Sequence, residues 1–137
     1  MQKIVVRRPG GFSRLELQSL PDPTPGPGEV RVAVRAAGVN YADCVVRMGL
    51  YKSAREFVGW PITPGFEFAG IVDAVGEGVT DLPIGSRVFG VTRFGGYDSH
   101  IVADPEYLFP LPEAWSFEGA AKDTERDPMG FCDCLSS

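Results

Sequence analysis

Histidine is nearly missing from this chain of 137 residues: His100 stands alone, and cysteine occurs only at Cys44, Cys132 and Cys134. A tetrahedral structural zinc needs four thiolate or imidazole ligands close together, whereas the loop from Val91 to Tyr97 contains none and His100 is the only histidine. The odd cysteine count, without framework spacing, also excludes a disulfide scaffold and fits a reducing compartment. Long apolar runs are absent as well. No stretch approaches the about 18 uninterrupted apolar residues of a membrane span. The N-terminus alternates charged and β-branched residues where a secretory signal would need an apolar run. Positive charge is scarce: 13 Lys and Arg against 18 Asp and Glu leave a formal net charge of −5. That balance argues against nucleic acid and anionic membranes as partners. The composition therefore predicts a cytoplasmic protein, and its 44% hydrophobic content suits a single soluble domain.

What is present is mostly β pattern. Ile4 to Val6, the alternating Leu15 to Leu20 and Glu29 to Val39 read as strands, with Val30, Val32 and Val34 on one face and arginines on the other. Between them Pro21 to Gly28 carries four prolines, so it is an extended connector outside any ladder. From Phe66 the strand pattern returns in FEFAGIVDAVG, in Gly85 to Val91 and in Gly96 to Ala103, with a turn at Gly76 to Gly78. Short strands punctuated by glycine suggest a barrel.

Asn40 to Met48 has a helical period instead. Tyr41, Cys44, Val45 and Met48 fall at i, i+3, i+4 and i+7, which predicts one apolar stripe packed on the core. Asn40 is the expected N-cap, Asp43 can reach back as in a capping box, and Gly49 suits the stop. A second helix is expected to start at Ser116 to Ala121, with Ser116 as its cap.

Three stretches carry a family resemblance. GVNYADCVVRMG at Gly38 to Gly49, TPGFEFAGIV beginning at Thr63, and the Gly76, Gly78, Val79, Gly85, Arg87, Val88 pattern resemble the GroES-like catalytic domain of the medium-chain dehydrogenase/reductase superfamily. Asn40 and Phe66 stand where zinc members of that superfamily carry a Cys and a His, so the resemblance is to its zinc-free branch of quinone oxidoreductases and VAT-1-type proteins. It runs from about Lys3 to Ala121. The implied fold is a mainly β, partly open GroES-like barrel with one or two short helices over residues 1–121. Residues 122–137 are polar and aperiodic, are expected to be disordered, and have no counterpart in the family. The cysteine at Cys134 formally opens a prenylation box, which reads as a chance match at the end of a frameshifted or alternatively spliced product.

The resemblance implies a chemistry. Without a Lewis-acid metal, hydride transfer needs an acceptor that delocalises charge by itself, as quinones and α,β-unsaturated carbonyls do. The anion so formed needs only hydrogen-bond donors and a proton source. By resemblance, Asn40 would touch the nicotinamide end of NADPH, and Tyr51 would donate to the substrate at the pocket mouth. Asn40 also reads as a helix cap, and Tyr51 equally as an amphipathic loop residue on the barrel. Tyr41 and Phe94 are candidates for the substrate wall, with core packing the competing reading of Tyr41. Asp43 and Glu67 are expected to be structural, Glu67 pairing with an arginine or with backbone amides. His100 is expected on a strand in a surface or core role, and no metal ligand set is assigned. A Rossmann cofactor domain with its glycine-rich dinucleotide fingerprint is absent from these residues, so no tight NADPH binding is expected of the chain itself. The alternative to a reductase domain is a non-enzymatic module, or an inactive form, that binds a full-length relative.

Overall fold

The computed structural model describes residues 1–52, 56 and 58–123. Two antiparallel strands, β1 (Gln2–Val6) and β2 (Leu15–Ser19), form a hairpin in which Gln2 faces Ser19 and Val6 faces Leu15. The larger sheet contains β3 (Val30–Ala37), β4 (Glu67–Val75), β5 (Arg87–Val91), β6 (His100–Ala103) and β7 (Leu108–Pro110). Its order is β6-β3-β4-β5-β7, with every pairing antiparallel. That linear order leaves the barrel open between β6 and β7. Bridges from Lys3 to Asp98 and from Val6 to Ile62 tie the hairpin to the rest.

The Pro21–Gly28 segment lies outside every strand, as expected of a run in which four prolines lack amide donors. Alternation along β3 and β4 sends Val30, Val32, Phe68 and Val72 into one cluster with Val88, Ile101 and Leu108. Full burial of a side chain such as Phe68 contributes roughly 1.5–3 kcal/mol. The opposite face of β4 is covered too. There Ala69 packs with Leu111, Ala120 and Ala121, the last two from α2 (Phe117–Asp123). Gly70 instead permits the close approach of β4 to β3: a Cβ on it would lie 2.2 Å from the Ala33 carbonyl oxygen.

Helix α1 spans Tyr41–Arg47, starts after Asn40 and stops before Gly49, whose φ of 77° suits a left-handed helix end. Its buried face differs from the expected stripe. Asp43 and Val46 are buried, whereas Tyr41 is 73% exposed and Met48 is also exposed. The polar residue goes inside because one oxygen of its carboxylate, Oδ2, accepts there from both the Asn40 amide and the Tyr97 hydroxyl, while Oδ1 is buried without a hydrogen-bond partner among the described residues. Helix α2 is capped as expected, the Ser116 hydroxyl accepting from the Gly119 amide at 3.0 Å. It runs from Phe117 to Asp123. Cys132, Cys134 and the remainder of the tail lie outside the described residues. Strand β7 and the short 3-10 turns at Phe12–Arg14 and Pro105–Tyr107 are additions to the expected elements.

Candidate functional site

The step from Phe66 to Glu67 organises the site. Consecutive residues entering a strand point to opposite faces. Phe66 therefore joins the inner cluster with Val6, Val46 and Ile62, and Glu67 turns outward beneath α2. On the inner side Phe66 meets Tyr51 and Phe94 with ring centroids 5.9 and 5.5 Å away, and Tyr51 and Phe94 meet edge to face at 6.2 Å. These separations are those of favourable aromatic pairs. Tyr51 and Phe66 also line a cavity of about 790 Å³ bounded by Val91 to Arg93 of the β5 end, by Ile101 to Ala103 of β6 and by Tyr107. That cavity sits at the open seam of the barrel.

On the outer side Glu67 is fully buried and accepts a hydrogen bond from the Asn40 side-chain amide. Both residues line a second cavity of about 330 Å³, shared with Arg35, Gly38, Glu118 and Ala121. A glycine is required at 38, since a Cβ there would approach the Ala121 carbonyl oxygen to 2.7 Å and the Glu67 side chain to 3.1 Å. Asn40 is held a second time through its backbone, whose amide donates to Asp43 Oδ2 at 2.9 Å. The same oxygen accepts from the Tyr97 hydroxyl at 2.6 Å. Burial raises the Asp43 pKa, opposed by the Tyr97 hydroxyl and the amides of Asn40 and Gly65. Burial and the adjacent Asp43 push the Tyr97 phenol up, so it remains a donor.

Among the expected site residues the structure thus groups Asn40 with Glu67 and Asp43, and Tyr51 with Phe94. Asn40 and Glu67 line the smaller cavity and Tyr51 the larger, whereas Asp43 and Phe94 stand behind these walls and line neither. Tyr41 belongs to neither cluster, because its ring is turned to solvent rather than into the core. The Asn40 side-chain amide is one partner of Glu67. His100 begins β6 half-buried, its Nε2 3.5 Å from Asp73 and its Nδ1 3.8 Å from Asp22, in a surface charge network with Arg31 and the N-terminal ammonium. Among the described residues no three His, Cys, Asp or Glu side chains converge as a metal site. Tyr97 is the participant that sequence reasoning missed. Its partner lies 54 residues away. The available signal was the pair of glycines, Gly65 and Gly96, whose backbones pass so closely that a Cβ on Gly65 would come within 2.7 Å of Gly96 and 2.8 Å of Tyr97.

The alcohol dehydrogenase GroES-like domain family matches residues 26–113. The chain belongs to that family. Its position is on the quinone oxidoreductase and VAT-1 side of the medium-chain dehydrogenase/reductases. A synaptic vesicle membrane protein VAT-1 homolog of Rattus norvegicus is 45% identical over 114 residues, covering 82% of this chain and 28% of that protein. The GroES-like domain therefore spans little more than a quarter of that relative's length. Among solved structures, Escherichia coli quinone oxidoreductase complexed with NADPH superimposes with a TM-score of 0.80 at 33% identity, covering 88% of this chain and 36% of that one. The CurK enoyl reductase gives a TM-score of 0.82 at 32% identity, covering 88% and 38%. These relatives make the chain part of an oxidoreductase family. No helix among the described residues is long and apolar enough to cross a membrane, although the VAT-1 relatives are named for a vesicle membrane.

Proposed function

We propose that this domain is the substrate side of an NADPH-dependent oxidoreductase that reduces quinones or α,β-unsaturated carbonyls without zinc. The observation that carries the reading is the aromatic cluster of Tyr51, Phe66 and Phe94 beside a cavity of about 790 Å³. A phenyl ring at Phe66 offers no lone pair, and the Asn40 amide nitrogen is already donating to Glu67. Such a donor set does not fit a zinc ion, but flat apolar walls suit a conjugated acceptor and exclude water from it.

NADPH, when bound, would supply the hydride. The remaining work falls to the residues of this chain. Glu67 steadies the Asn40 side chain through one Nδ2 N–H, and the second N–H of that amide is a donor suited to a carboxamide oxygen, such as that of a nicotinamide. Tyr51 is the donor to the substrate oxygen on which charge develops. Replacing the equivalent domain of Escherichia coli quinone oxidoreductase by residues 1–121 tests the reading. The chimera should reduce a quinone or an enone with NADPH, and Tyr51→Phe should lower its turnover about a hundredfold. A folded chimera that binds NADPH yet reduces neither acceptor would sink the proposal.

A further inference from the structure

The loop between β1 and β2 gathers positive charge in an otherwise acidic protein. Arg7, Arg8 and Arg14 line a cavity of about 350 Å³ together with Ser13 and Glu16. Arg7 donates from Nε to Glu16 at 2.9 Å. Among the described residues neither Arg8 nor Arg14 forms an ion pair. Three guanidiniums and one carboxylate give the cavity 3 − 1 = +2 charges.

We propose that this cavity is a binding site for a phosphate monoester carried by a small soluble molecule. Such a group bears about −1.5 to −2 charges at neutral pH, which matches the cavity. Guanidiniums pair with phosphate oxygens through parallel N–H donors, and the Ser13 hydroxyl adds another. The loop is also fastened in place. The Gly10 amide donates to the Arg47 carbonyl at 3.1 Å, and Arg47 Nε donates back to the Gly10 carbonyl at 3.2 Å. The Arg47 guanidinium caps the Phe12 ring at 4.4 Å. The Arg14 stem crosses Gly10 so closely that a Cβ there would lie 2.6 Å from Arg14 Cγ. A loop clasped to the end of α1 presents its arginines with little ordering left to do on binding. A membrane or nucleic acid is disfavoured, because an extended anionic partner meets the net charge of −5, whereas a small ester meets only the local field.

The test is titration of the 137-residue chain with phenyl phosphate, followed by heteronuclear NMR and calorimetry. Saturable shifts should appear at Arg7 to Glu16 and weaken as salt is raised. Arg8→Gln and Arg14→Gln should each weaken binding about tenfold or more. Lys52→Gln, which removes the same charge from an exposed residue, should leave binding within about twofold of the parent. Vesicles containing a phosphatidylinositol phosphate should not retain the protein. Absence of saturable binding, equal losses in all three variants, or vesicle retention abolished by Arg8→Gln would each overturn the proposal, the last in favour of a lipid surface.

Discussion

Asp98 and Tyr97 are adjacent in the chain and opposite in their consequences. Burial lifts the Asp98 carboxyl to about 6, with Lys3 only partly opposing it. A carboxyl raised on folding binds its proton more tightly in the native state, so it contributes nothing below about pH 4 and an increasing penalty as pH rises towards and through 6. Asp98→Asn should therefore raise stability at pH 7 by about 1–2 kcal/mol, after discounting for solvent screening at this half-buried site, and flatten the profile between about pH 4 and 6. Urea unfolding across that range checks it; an unchanged slope would count against the assignment. Tyr97→Phe acts in the other direction. It strips a donor from the buried Asp43 carboxylate and should cost about 1–3 kcal/mol near neutral pH, measured in the same way.

At the scale of elements, local grammar was legible where one rule acted alone. Asn40 and Gly49 bracket α1 as capping chemistry requires, and Ser116 starts α2. Ser116→Ala should lower stability by about 1 kcal/mol, read from the thermal midpoint, because the Gly119 amide loses its acceptor. The face that α1 buries was not legible. Periodicity favoured Tyr41, Cys44, Val45 and Met48, but a tertiary contact 54 residues distant from Asp43 turned the helix the other way. Strand β7, three residues long, is fixed by pairing with β5 rather than by any pattern of its own. The site was half legible for the same reason. Which residue types stand at 40, 51, 66 and 67 is written in the sequence, whereas their partition between two cavities follows from where β4 begins.

For the molecule as a whole, the exposed apolar residues set the behaviour. Val39 is 77% exposed and Leu17 64%, with Tyr41 and Leu50 also turned to solvent. Leu17 and Val39 border one shallow hollow with Ile4, and an exposed apolar patch drives association, so the chain should self-associate in a concentration-dependent way. Sedimentation velocity should show a smaller average mass for the Leu17→Gln, Val39→Gln double variant. The 137 residues carry no glycine-rich dinucleotide fingerprint between a strand and a helix, so fluorescence titration of this chain should place any NADPH affinity in the ~mM range or weaker.

Phe66 and Glu67 are separated by a single peptide bond and by the thickness of the sheet. Divergence among descendants of this domain can exploit that separation. Substitutions at Phe66 and its ring partners can resize the acceptor cavity for bulkier or slimmer compounds without disturbing the amide held by Glu67. Insertions do not enjoy the same freedom. One residue added between the Gly65–Gly96 crossing and the start of β4 would exchange the two faces, setting a carboxylate among aromatic rings and a phenyl group against the Asn40 amide. Drift by substitution with a fixed loop length is thus the expected mode of change in this segment.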